Sequence, residues 1–189
     1  MVALSITILI GSCIAMMISG MAMGTTGQQD GRRHLVRMQT LETRLIATVH
    51  SSQCILASGN GYLVYWVADR NCDNILQLSE LGLLELDNTG TLQQYATVFP
   101  ANFSLAQIAS ADTGYPANTN WYAAAQTAKS SGYFVATPLA HDVSTFTVTL
   151  DNAAPTAARL VTMSVQLDDG QVQRAGAVTA AVRSLQAPQ

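Results

Sequence analysis

The sequence predicts an α+β fold: one long N-terminal helix, apolar in its first half and amphipathic in its second, packed on an antiparallel β-sheet. Three observations carry this. The stretch from Val2 to Met23 is almost wholly apolar, and no charge occurs before Asp30. Residues 32–50 repeat apolar side chains at helical spacing. Beyond residue 60 the apolar residues fall in short alternating runs separated by Gly, Pro, Asn and Asp, the pattern of strands and turns.

The first half of the helix is assigned to residues 1–29. As a helix, Val2 to Met23 would be roughly 33 Å long at 1.5 Å per residue, about the thickness of a bilayer core. A secretory signal has a basic beginning and a shorter apolar run; neither is present, so a membrane-spanning or membrane-anchored helix is expected. Gly11, Ala15 and Ser19 recur every fourth residue, and Gly20 and Gly24 form a GxxxG. Such positions let helices approach closely in lipid, although ordinary glycine and alanine content of membrane helices fits them equally. The amphipathic half spans residues 30–54. Met38, Leu41, Leu45 and Val49 share one face, while Arg37, Glu42 and Arg44 lie on others.

Residues 55–189 are expected to form the β-rich globular part. "GYLVYWVA" (61–68) is apolar on both faces and reads as a buried strand. "LGLLELD" and "TLQQYATV" flank Asn88-Thr89-Gly90, a hairpin signature. Residues 99–131 are irregular, with a short helix expected in "NWYAAAQTAKS". "STFTVTL" (144–150) and "RLVTMSVQLDD" (159–169) alternate as strands, and "GQVQRAGAVTAAVRSL" reads as a strand or a mixed ending.

The chain has 189 residues, only 11% of them charged, and a net charge of −3. Its nine basic residues form no long cluster. Nucleic acid is excluded as a partner, because phosphate neutralisation needs a basic face.

Against this sparse charge, "DRNCDNILQLSE" stands out. Asp69, Asn71, Asp73 and Glu80 occupy positions 1, 3, 5 and 12 of a twelve-residue window, the ligand spacing of a calcium loop. The Ile75 carbonyl and Gln77, through water, would complete the oxygen set, with Glu80 bidentate. Asn74 stands where such loops place glycine, and Asn is among the few residues that visit the left-handed region. Strands rather than helices are expected on both sides, so a bound calcium would be a structural staple rather than a sensor. A solvated Asp/Asn turn that binds nothing is the alternative.

Cys13 lies in the apolar run. Cys54 and Cys72 either form a disulfide in an oxidising compartment or remain free thiols. No Cys/His spacing resembles a zinc site. The histidines are His34, His50 and His141. His141-Asp142 is not read as a hydrolytic dyad: neighbours in an extended segment point to opposite faces, and no nucleophile elbow accompanies them. No Walker or dinucleotide motif occurs, and no enzyme activity is expected.

The start "VALSITILIGSCIAMMISG" resembles the apolar N-terminal stretch of type IV pilins and pseudopilins. "RRHLVRMQTLETRLIATV", "YLVYWVADRN", "LSELGLLELD" and "ARLVTMSVQLDDG" look like minor pilin-like proteins of type II secretion. The family's basic leader and the Glu at its fifth mature position have no counterpart here, so neither is carried over. The resemblance implies a minor pseudopilin-type structural subunit. It would be held in the inner membrane by a single pass with its C-terminal domain in the periplasm, able to be extracted into an envelope filament, and it would meet other pilin-like subunits through the N-terminal helix. By charge alone, Arg32, Arg33 and Arg37 would place the domain on the cytoplasmic side. The alternative function is a membrane-anchored, calcium-dependent periplasmic binding domain.

Overall fold

A computed structural model describes residues 32, 35–168, 170, 173–183 and 188. Thr40–Gln189 forms one compact unit. The expected α+β fold with a long N-terminal helix is corrected here. The described chain is mainly β, with eight strands in two antiparallel sheets and only short helices. Among the described residues no helix is long and apolar enough to cross a membrane. The expected apolar half, residues 1–29, lies outside the described residues.

The amphipathic half is a helix, α1, over residues 35–51. Leu41, Leu45 and Val49 are at most 1% exposed, and Met38 is also buried. The helix ends in a tight turn, Ser52 N donating to Val49 O at 3.1 Å, and Gln53 N then donates to Trp66 O at 2.7 Å, which hands the chain to the first sheet.

That sheet runs in sequence order: β1 (Cys54–Gly59), β2 (Tyr62–Trp66), β3 (Leu81–Leu86), β4 (Leu92–Thr97) and β5 (Phe134–Ala140). Between β4 and β5 lie α2 (Leu105–Ala111) and α3 (Trp121–Ser130). The second sheet is β6 (Val143–Leu150), β7 (Leu160–Asp168) and β8 (Gln173–Ala181), again in order. One physical reason makes two sheets rather than one. Side chains alternate across a strand, and β2 and β3 are apolar on both faces, so both faces need cover. On one face Cys54, Leu56, Val64, Trp66, Leu81 and Leu83 form a core with Trp121, Ala125 and Ala128 of α3. The alternate residues Ile55, Leu63, Tyr65 and Leu84 are equally buried but lie outside that cluster. The second sheet likewise buries one side, through Phe146, Val161, Met163, Val165 and Leu167.

The two sheets are tied by main chain. Gly61 N donates to Phe146 O and Val143 N to Gly90 O, each at 2.8 Å, and Asn60 bridges Thr147. The expected hairpin at 88–90 forms. Asp87 accepts from Thr89 N, Thr89 Oγ1 and Thr91 N at 2.8, 2.6 and 2.8 Å, and Gly90 takes the positive φ of 75° that the turn needs.

Candidate functional site: the 69–80 loop

The loop leaves the end of β2 at Trp66 and returns through a 3-10 turn, Leu78–Glu80, into β3. Its first part is wound on its own carboxylates. Asp69 accepts from Asp73 N at 3.3 Å and Asn74 N at 3.1 Å. Asp73 accepts from Ile75 N and from the Asn71 side-chain amide, both at 2.8 Å. Short acceptors of this kind stabilise turns by satisfying backbone donors that no ladder reaches. Asn74 has φ 59°, the left-handed backbone expected of it, and Cys72 matches it at 59°.

Glu80 behaves differently. It is 1% exposed, and its carboxylate accepts three hydrogen bonds from inside the fold. Arg70 N donates to Oε1 at 2.7 Å; Trp66 Nε1 and Gln77 N donate to Oε2 at 3.1 and 3.3 Å. A buried carboxylate is tolerable only with such partners. Both oxygens accept hydrogen bonds within the fold, so bidentate ligation of a cation by Glu80 would have to share or displace those bonds. Among the described residues no group of three or more His, Cys, Asp and Glu is gathered around one point. Ile75 is 42% exposed, whereas Leu76, in the position such loops keep apolar, is fully buried.

The loop is clasped from outside as well. Gln53 Oε1 accepts from Asp69 N at 2.7 Å, and Asp112 Oδ1 from Ser79 N at 2.7 Å. Tyr115 N donates to Leu76 O at 2.8 Å, and Thr97 Oγ1 to Leu78 O at 2.6 Å. Gly114 passes so close that a Cβ there would sit 2.6 Å from Ile75 Cγ2. Sequence reasoning found the acidic spacing but missed Gln53, Trp66 and Asp112. The only sequence signal for Trp66 and Glu80 was an indole and a carboxylate at opposite ends of one strand-to-strand connection.

Cys54 and Cys72 are both free; burial pushes the Cys54 thiol up to about 12, and Cys72 is exposed. His141 is exposed, with Nδ1 at 3.2 Å from Thr91 Oγ1. A second polar cluster ties α3 to the first sheet. Glu85 accepts from Tyr122 Oη, Gln126 Nε2 and Lys129 Nζ at 3.1, 2.7 and 2.6 Å. Lys129 also lies 4.6 Å from the Tyr95 ring centroid, and Tyr62 stacks on Tyr122 at 3.9 Å. Both oxygens of Asp69, Asp73, Glu80 and Glu85 accept structural hydrogen bonds, an arrangement that fixes the loop and α3 in place. Compared with known protein families, curated proteins and solved structures, the chain matches none.

Proposed function

We propose that this chain is a non-enzymatic structural subunit of an envelope assembly of the type II secretion minor pseudopilin or type IV pilus-like class. The apolar run from Val2 to Met23 holds it in the inner membrane and meets other such subunits, while the β domain is presented in the periplasm. One observation supports the reading above the rest. The helix that follows the apolar run is not a loose linker, because Leu41, Leu45 and Val49 are at most 1% exposed.

The test is fractionation and crosslinking of the full chain in cells. The reading expects inner-membrane recovery, protease access from the periplasmic side, and crosslinks from the apolar run to chains carrying a similar N-terminal segment. Gly11→Leu or Ala15→Leu should reduce those crosslinks while the domain stays folded. Recovery in the soluble fraction, or undiminished crosslinking in both variants, would refute it.

The second reading, an anchored domain that binds calcium at the loop, is favoured by the left-handed backbone of Asn74. A rise in melting temperature with calcium that Asp69→Ala removes would carry it. Coincident curves in calcium and in chelator would leave the loop as a hydrogen-bonded staple.

A further inference from the structure

The two sheets have four edges, and three of them are guarded. The 3-10 turn Pro155–Ala157 lies against β1. The outer edge of β6 is engaged by Gly61 N, which donates to Phe146 O, and by Gly90 O, which accepts from Val143 N. On β5 the pair Val98–Tyr133, with Val98 N donating to Tyr133 O, sets the alternation of the ladder. It directs Ala136 and Pro138 outward, so a proline without N–H stands on that open edge, a known device against edge pairing.

The fourth edge has no such device. Val182 N donates to Arg159 O at 2.9 Å. Counting inward from that pair along the β7–β8 register, residues 180, 178, 176 and 174 spend their N–H and C=O on β7. Gln173, Ala175, Ala177 and Thr179 turn theirs away from it. Ala181 also points outward, and its carbonyl lies 3.3 Å from His50 Nδ1. Among the described residues nothing pairs with the outward backbone of Ala175, Ala177 and Thr179, and their side chains are exposed. β8 contains no Pro, Lys, Asp or Glu; Arg174 is its single charge.

We infer that the β8 edge is an interaction surface for a second copy of this chain, joined by antiparallel β8–β8 pairing into one continuous six-stranded sheet. The register that fits sets Ala175 opposite Ala177 of the other copy and Gln173 opposite Thr179. Each outward N–H and C=O of residues 173, 175, 177 and 179 then finds a partner, and the Ala181 carbonyl keeps His50. Arg174 falls opposite Val178 rather than opposite its own counterpart, so no like charges meet. The paired residues carry Gln, Ala, Ala and Thr side chains, which stand off the sheet and do not obstruct the pairing. The interface is isologous, as a two-fold dimer requires.

The test uses the full chain, kept dispersed in detergent, over a concentration series. Sedimentation reports mass, and hydrogen exchange reports the amides of Ala175, Ala177 and Thr179. The inference expects those amides to gain protection as concentration rises, in step with dimer formation. Ala175→Lys with Ala177→Lys sets like charges opposite each other and should abolish both signals. Ala175→Lys with Ala177→Glu sets opposite charges and should restore them. Fast exchange at every concentration overturns the inference. So does protection independent of concentration, which would mean that the same chain covers the edge. A double-lysine variant that still dimerises with protected amides overturns it too. The wild-type series decides the matter even if a variant folds poorly.

Discussion

A carboxylate shut away from water at 1% exposure is a liability unless something inside the fold answers it, and for Glu80 the answer comes from Trp66, Arg70 and Gln77. Glu80→Gln keeps the shape but turns one acceptor into a donor aimed at other donors. The expected loss is about 2–3 kcal/mol by denaturant unfolding, equal in calcium and in chelator, because the side chain's task is hydrogen bonding within the fold. Asp87 gives a pH-dependent counterpart. The Thr89 hydroxyl, then the Thr91 amide, hold its carboxyl down from 3.8 to about 2, against a smaller opposing effect of burial. A carboxyl whose folded value is depressed contributes stability above its unfolded value and loses it as pH falls through the folded one. Melting temperature should therefore fall between about pH 4 and pH 2, and Asp87→Asn should flatten that part of the profile while lowering the plateau above it.

Elements are held as much by what they lack as by what they contain. Tyr65 of β2 lies across Gly82 of β3, its paired residue, so closely that a Cβ at Gly82 would stand 2.4 Å from the ring. The ring's hydroxyl accepts from Gln94 on β4 at 2.9 Å, so one side chain spans three strands. Gly82→Ala should cost about 1–3 kcal/mol by overpacking. In a Tyr65→Leu background the added cost should shrink, a coupling that a double-mutant cycle measures. In α1, Leu45→Ala should cost about 2–5 kcal/mol, whereas the half-exposed Ile46 on the other face should tolerate alanine with little change in unfolding midpoint.

The same elements show what was legible in the residues. Strict alternation in "STFTVTL" and "RLVTMSVQLDD" marked β6 and β7, the Asn88-Thr89-Gly90 signature marked the β3–β4 turn, and the apolar stripe of α1 was readable from spacing. β5 was not marked at all, because whether Pro138 is harmless in a strand depends on which way its missing N–H would point. β1 did not declare itself, because only two residues separate it from the end of α1 and its last residue is Gly59. The acidic spacing of the loop was visible, but the inward turn of Glu80 depends on the indole of Trp66, a contact that no local pattern records. The number of sheets was equally hidden, since it follows from which faces of β2 and β3 find cover.

For the whole molecule, the main-chain bonds between the sheets, Gly61 to Phe146 and Val143 to Gly90, predict a single cooperative unit. Both tryptophans, Trp66 and Trp121, sit in the α3-side core, remote in sequence from the second sheet. Met163→Ala, a cavity on β7, should cost about 2–5 kcal/mol. It should also lower the midpoint seen by tryptophan fluorescence as far as that seen by circular dichroism; separated midpoints would mean that the sheets unfold independently. The strand order carries a kinetic consequence. Within each sheet every strand pairs with its neighbour in sequence, so five of the six partnerships close over modest loops and only β4 and β5 wait for a long one. Local closures cost little chain entropy and favour rapid assembly. Folding should therefore proceed as quick hairpin growth on either side of one slower closure, and the segment that delays it, residues 98–133, is the one whose Asp112 and Tyr115 finally clasp the 69–80 loop.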